Sequence, residues 1–472
     1  MSSVSALNSL LASTSSSSGI DLSQILQAAT GASSSGIDVT SAVNAAVTAA
    51  EAPEQSWENQ ETTLQNQTTA LTQLQTDATN LDNDMQSLNS ITGPLSAVTV
   101  SSSNSSIVSA SAASGTSAGT HVVQVASLAT TASWSSDTLT SASTPLAAGS
   151  FTITANGTTT TISTGTGTST LGNVVSTINS DNLGVTASVV TDATGARLAI
   201  VSNTSGSASN FSVSAPTGGS LSFTPAVNGA NASLTVDGLS ISSASNTVTG
   251  AIPGVTLNLL NADPGTNVSL TIAPNTAQVS TAINQFVSDY NTAVTAINAQ
   301  FTDTAGSGQG ILADDPVVRN LQSDLQNALD YLYTPASGST TVSSLASLGI
   351  SVGNDGTLTV DSTTLNSALQ NNFSDVQTFF QGTAYNGFAN SLDQQLTSFT
   401  SPADGAFTVD LQSMSTEYSG LQTDVTNFQN NYIAPLKTQL NAEYSQAEIL
   451  LQQLPTEMQQ INTELGLNTK SS

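Results

Sequence analysis

Cysteine is missing from all 472 residues. Its absence removes a disulfide scaffold, a thiolate zinc site and a cysteine nucleophile from consideration. Histidine occurs once, as His121, so any Ser/His/Asp triad would have to be built on it. His121 opens the alternating stretch His121-Val122-Val123-Gln124-Val125, where a strand-surface histidine is the simpler reading. Basic residues are nearly as scarce. Four Lys and Arg face 32 Asp and Glu, for a net charge of −28. Phosphate contacts need Lys and Arg, which excludes nucleic acid as a partner, and an anionic membrane surface is disfavoured for the same reason. No run approaches the ~18 apolar residues of a membrane span. Met1 to Leu11 carry neither a basic cluster nor a long apolar run, so no standard secretory signal is expected and export would use another route.

Only 8% of residues are charged and 4% aromatic. Ser, Thr, Asn, Ala and Gln take their place, giving a surface that is polar without being charged; its acidity keeps such a chain soluble. Candidates for chemistry do not survive comparison with plainer roles. Asp314-Asp315 could form half of a glycosidase-type pair, but acids just before Pro316 cap a helix. Asn354-Asp355-Gly356 lacks the other ligands of a calcium loop and reads as a tight turn. Gly165-Thr166-Gly167 is not followed by the further glycine of a dinucleotide fingerprint. No catalytic, cofactor-binding or metal-binding residue is expected, and the chain reads as a non-enzyme.

What is present is a patterned chain. Residues 1–35 form a Ser-rich, low-complexity leader. Within it Ser17-Ser18-Gly19-Ile20-Asp21-Leu22 recurs as Ser34-Ser35-Gly36-Ile37-Asp38-Val39, each copy running into a short apolar helical pattern. From Glu54 to Ser90 a heptad takes over, with Trp57, Leu64, Leu71, Ala78 and Met85 at one seam position and Gln60, Gln67, Leu74, Leu81 and Leu88 at the other. Eighteen residues of this stretch are Thr, Asn, Ser or Asp, each costing ~0.5 kcal/mol against Ala, or ~9 in total. Burying each large seam residue returns ~1.5–3 kcal/mol. The helix therefore needs a partner.

The opposite end offers one. Met414, Tyr418, Leu421, Val425, Phe428 and Tyr432 step by fours and threes, then Leu436, Leu440 and Tyr444 by fours, then Ala447, Leu451, Leu454, Met458, Ile461 and Leu465 resume the alternation. Kinks are expected at Pro435 and Pro455. Between the ends, residues 96–275 alternate in the manner of strands. They include a hairpin over 151–162 with an Asn156-Gly157 turn, a short helix with Leu171, Val174, Val175 and Ile178 on one face, and strands near 185–190 and 198–201.

The expected fold class is α+β multidomain: long terminal helices pairing as a coiled-coil-like leg, with inserted β-rich head domains. The ranges are a leader (1–35), an N-terminal helical leg (36–95), a β-rich head (96–275) containing a ββαββ module (149–202), a helical frame with a small β element (276–385) and a C-terminal helical leg (386–472). The contact seam for oligomer and filament is expected at Trp57, Leu64, Leu71, Leu74, Leu81, Met85 and Leu88 on one leg. On the other it comprises Leu421, Val425, Phe428, Leu440, Leu451, Leu454, Met458, Ile461 and Leu465.

Several segments in order resemble the flagellar hook-associated protein 2, or filament-cap, family. Gly36-Ile37-Asp38-Val39 followed by Ala50-Glu51-Ala52-Pro53 is similar to the family's opening. The 149–202 unit, with Thr194-Gly195-Ala196-Arg197-Leu198, resembles the hook-associated IN module. Leu348-Gly349-Ile350, then Asp355-Gly356-Thr357-Leu358-Thr359-Val360-Asp361, then Leu365, Leu369, Val376, Phe379 and Phe380 resemble its carboxy-terminal domain, and Gly387-Phe388, Leu392 and Leu396 keep the order. The longer leader and the prolines in the last helices depart from it. The resemblance implies a ring-forming homo-oligomer at the filament tip, exported by the flagellar secretion apparatus and non-catalytic. Its implied partners are flagellin, hook–filament junction proteins and a flagellar export chaperone. Another axial protein, flagellin or a junction protein, would also pair terminal helices; a Ser/Thr-rich surface adhesin and an acidic-pair hydrolase are the readings of other classes.

Overall fold

Helices occupy both ends of the chain and strands its middle, because the apolar period changes from near 3.5 to 2 and back again. The computed structural model describes residues 39–464 apart from 166–168, 215, 220, 303–308, 336–339 and 385. The Ser-rich leader with both Gly-Ile-Asp copies lies outside the described residues, as do Thr166-Gly167 and Leu465. In chain order the helices are α1 (Val39–Ala50), α2 (Ala52–Asn89), α3 (Leu171–Ser180), α4 (Thr276–Phe301) and α5 (Pro316–Leu329). They continue with α6 (Ser362–Asn371), α7 (Phe373–Gln381), α8 (Phe388–Thr400), α9 (Ala406–Phe428) and α10 (Ala434–Glu464).

The strands build two bodies with separate cores. In the first, an antiparallel five-stranded sheet runs in the order 98–102, 268–274, 119–127, 232–236, 239–243. A three-stranded sheet (247–252, 255–259, 108–112) encloses with it a core containing Val108, Val125, Leu234, Leu257 and Leu270. In the second, the hairpin of 149–155 and 158–163 turns through Asn156 (φ 52°) and Gly157 (φ 77°), both left-handed as a two-residue hairpin of this hand requires. The strands 185–192 and 195–202 form the other hairpin. The two hairpins of the expected ββαββ unit lie in different sheets, one joined by 212–213 and 217–218, the other by 133–136 and 223–227. Phe151, Ile162, Leu171, Ile178, Leu198 and Ile200 close one core between them and α3.

The helical core is larger. Leu71, Leu74, Leu81, Met85 and Leu88 of α2 are at most 2% exposed, and α2 lies against α4, α8 and α9. Scarce aromatic residues concentrate here. Phe379 stacks on Phe388 at 5.5 Å, and Phe286 meets the Phe388 ring edgewise at 5.7 Å. Asp315 caps α5, accepting from the Val317 N–H at 2.8 Å, and Asp361 caps α6 through the Thr363 N–H at 2.9 Å. Asp355 closes the turn between strands 350–352 and 358–360 by accepting from the Thr357 N–H.

With so few charges, amide side chains take over the long-range polar contacts. Asn291 of α4 accepts from the Leu358 N–H at 2.6 Å and donates to its carbonyl at 2.8 Å, stitching helix to hairpin. Asn246 holds Ala129, Asn179 holds Ala187 and Asn210 holds Gly229 by the same paired bonds. Each Asn mimics the donor–acceptor pair of a neighbouring strand. Among the described residues the ion pairs are His121–Asp237, Arg197–Asp192 and Arg319–Asp314, all partly or fully exposed, where such pairs contribute little. Replacing Asn291 by Ala leaves a buried donor and acceptor unpaired, and a loss of about 2–3 kcal/mol in denaturant unfolding is expected; a change within about 0.5 kcal/mol would show that water replaces the amide.

Acids also face acids. Asp82 of α2 meets Asp393 of α8, Asp84 of α2 meets Asp289 of α4, and Asp410 of α9 meets Asp315. Burial, reinforced by the opposing carboxylate, pushes Asp82 to about 6, Asp84 to about 7 and Asp410 to about 6. A carboxyl whose folded pKa is raised stabilises the fold below its unfolded value and loses that contribution as pH climbs through the folded one. Hydrogen bonds from the turn and cap hydroxyls and amides lower Asp355 and Asp361, which act oppositely and lose their contribution only below about pH 4. Thermal stability should therefore fall as pH rises from about 4 to about 7. Asp84→Asn should raise the Tm at about pH 8 and leave it nearly unchanged at about pH 3.5, with the exposed Asp424→Asn as the control for net charge. Equal shifts for both variants would remove the pair from the explanation.

Candidate functional site on the terminal helices

The two ends of the chain run antiparallel, and their contacts step in register. From the body outward, the Thr68 hydroxyl meets the Met414 sulfur at 3.8 Å and Gln65 Nε2 donates to the Tyr418 hydroxyl at 3.1 Å. Next, the Trp57 and Phe428 rings meet edge to face at 5.4 Å, and Gln429 donates to the Glu54 carboxylate. Beyond them α1 takes over from α2. Its Val43, Val47 and Ala50 pack with Ile433, and Phe428, Leu436, Leu440 and Tyr444 flank this small core. Ala42 and Ala46 are buried on the same α1 face.

Both strands of the leg are interrupted at one level. On the N-terminal side α1 ends at Ala50, and α2 begins at Ala52 with Pro53 in its first turn. Opposite, α9 passes into α10 through a π-helical turn, Gln429–Ile433, in which the Ala434 N–H reaches back five residues to the Gln429 carbonyl. The expected kink at Pro435 takes this form. Proline has no N–H for a carbonyl four residues back and its ring crowds that carbonyl; one widened turn relieves both. Ile433 is turned inward, while Tyr432 remains half exposed and stacks on Phe428 at 5.1 Å. At Pro455 no break occurs, and α10 continues across it.

The expected seam residues divide three ways. Leu64, Leu71, Leu74, Leu81, Met85 and Leu88 are buried within the chain. Trp57, Leu421, Val425, Phe428 and Leu440 are half-buried along the terminal pairing. Leu454, Met458 and Ile461 are 40%, 60% and 52% exposed, with Ile449 and Leu450 exposed beside them. The Leu451 side chain and Leu465 lie outside what is described. Sequence reasoning missed Glu54 with Gln429 and the small-residue face of α1. Alternating Ala and Val at helical spacing was the available signal for that face.

His121 Nδ1 lies 2.7 Å from Asp237, whose carboxylate also accepts from the Val122 N–H and is held below its usual range chiefly by the His121 contact. No serine completes a triad in these contacts. Among the described residues no group of three or more His, Asp or Glu is placed to hold a metal ion, and no helix is long and apolar enough to cross a membrane. A Trp57→Ala and Phe428→Ala double-mutant cycle should return a coupling of about 1 kcal/mol in unfolding; additive effects would mean that the rings merely adjoin.

Profiles described as the flagellar hook-associated protein 2 N-terminus and C-terminus match residues 35–132 and 229–456, and the flagellin hook IN motif matches 150–204. The B-type flagellar hook-associated protein 2 of Pseudomonas aeruginosa is 29% identical over 337 residues, 64% of this chain and 69% of that protein. The flagellar hook-associated protein 2 of Aeromonas caviae is 26% identical over 295 residues, 58% and 62% of the two chains. In shape, the chain is similar to the crystal structure of the flagellar cap protein FliD D1-D2-D3 domains from Escherichia coli. That match has a TM-score of 0.58 and 26% identity, and covers 73% of this chain and 99% of that one.

Proposed function

The chain belongs to the flagellar hook-associated protein 2 family, and on that premise we propose that it is a non-catalytic filament cap that oligomerises at the filament tip and promotes flagellin insertion. The observation that carries this reading is the matching of both terminal halves, in order, by the family's own N- and C-terminal profiles. Flagellin, a hook–filament junction protein and a Ser/Thr-rich adhesin are not favoured by that pattern. The flagellar export apparatus, with its chaperone, is the proposed route out, and flagellin and the junction proteins are the proposed partners outside.

A cap needs binding, shape and mobility. We assign the shape to the strand-rich bodies of 96–275 and the binding to the terminal leg of 36–95 and 386–472. Within that leg the contact set narrows. Leu71, Leu74, Leu81, Met85 and Leu88 already fill the chain's own core, so contacts with other copies and with the filament fall to residues left outward. These are Tyr432 and the distal face of α10 at Leu454, Met458 and Ile461.

A strain lacking this protein should release flagellin as free monomer, and the full chain supplied in trans should restore filaments. Truncation after Gly466 should retain capping, whereas deletion of 440–472 should abolish it. Normal filaments in the deletion strain would refute the cap reading.

A further inference from the structure

Two side chains compete for one inward place on the terminal leg. Up to Phe428 the seam of α9 steps by fours and threes, and the next step of four lands on Tyr432. In the structure that place belongs to Ile433, 4% exposed, while Tyr432 is 48% exposed and stacks on Phe428. The π turn makes the difference. It holds one residue more than an α turn and so sets back the phase of everything beyond it. A regular helix through Gln429–Ile433 would turn Tyr432 inward. It would also carry Leu436, Leu440 and Tyr444 about 100° further round, one residue's share of a turn.

Each register has its own cost. The π register widens a turn. The α register drives the Pro435 ring against the Asn431 carbonyl and leaves that carbonyl without an N–H. The exchange itself trades one large apolar side chain for another. Opposite, the N-terminal strand of the leg is also cut at a proline. Pro53 has no N–H to give the Ala49 carbonyl, and the single residue Glu51 separates α1 from α2. Beyond this level Val43 and Val47 of α1 hold Leu436, Leu440 and Tyr444 of α10 in a core separate from that of the helical body. The two helices can therefore turn together without uncovering each other.

We propose that the π turn is a register switch: Ile433 and Tyr432 alternate at one inward place, and α1 with α10 swings as a single body on α2 and α9. The swing re-aims the exposed Leu454, Met458 and Ile461 by about 100°, so that one apolar stripe meets neighbours lying in two directions. That last step rests on the cap reading; the register exchange does not.

The cysteine-free chain allows a clean test with spin labels at exposed positions. In the full chain, labels at Gln60→Cys and Thr438→Cys should show two distances, separated by up to about 8 Å for a helix of this radius. Labels at Asn44→Cys and Thr438→Cys, both within the swinging body, should show one. Deleting Asn430 and replacing Pro435→Ala removes the extra residue and the proline while keeping the phase of the seam, and should merge the two distances into one. A single distance across the interruption in the otherwise unchanged chain would overturn the switch, as would two distances that survive the deletion; two distances for the inner pair would overturn the joint movement. In a strain lacking the protein, the locked variant should restore filaments at least tenfold less often than the unaltered chain. Equal restoration would overturn the re-aiming step alone, and failure of the unaltered chain to restore them would sink the cap reading and leave the distance result standing.

Discussion

Everything in this chain hangs on one helix being wanted from several sides. Alone, α2 is a poor helix: Thr, Asn, Ser and Asp make up about half of its length, and these residues compete for its backbone groups. It holds because α4, α8 and α9 converge on its inner half. Those three helices come from the far side of the strand-rich bodies in sequence, so α2 cannot be buried until the C-terminal half has returned to it. The stability of the N-terminal leg is therefore a long-range property. A heptad that would be a surface coiled coil in a charged protein becomes here the spine of a closed core.

Polarity without charge sets the manner in which the remaining surfaces are joined. A bidentate Asn fixes direction and register as a strand does, and it is insensitive to salt, which an exposed ion pair is not. The four Asn contacts tie helices and loops to particular backbone residues in all three cores' surroundings. Against this neutral background the facing carboxyls between α2, α4 and α8 stand out, since no base is nearby to relieve them. Their repulsion grows as protons leave, and so the helical body is loosened, whereas the asparagine bridges of the strand bodies carry no group that titrates.

Much of this architecture was legible in the sequence, in proportion to how local its cause is. The Asn156-Gly157 hairpin, the caps at Asp315 and Asp361 and the turn at Asp355 follow from side chains acting within a few residues, and each stands where the sequence places it. Periodicity gave the extent of α2 and of the C-terminal helices for the same reason. What periodicity cannot carry is the identity of the covering partner. Leu71 and Leu81 read as a seam that awaits a neighbour, whereas the chain itself supplies α4 and α8 on that side. The run of fours around Pro435 marked an irregularity, but only the carbonyl geometry decides between a break and a widened turn. The assignment of sheets in the 149–202 module depended on strands 133–136 and 223–227, well outside it.

The interruption shared by both strands of the leg divides it into two parts held by different means. Inside it, α2 and α9 belong to a core with large aliphatic and aromatic residues on three sides. Outside it, α1 and proximal α10 rest on Val43, Val47, Ala50 and Ile433, flanked by Phe428, Leu436, Leu440 and Tyr444, a core much smaller than the one inside. Trp57, Phe428 and Tyr432 bridge the junction as a chain of rings, the first pair edge to face and the second stacked. Their broad contacts tolerate a change of angle better than interlocked aliphatic side chains do. On the N-terminal side the sequence writes that inequality as a step from the leucines of α2 to the alanines and valines of α1, while Leu436, Leu440 and Tyr444 keep large side chains on α10.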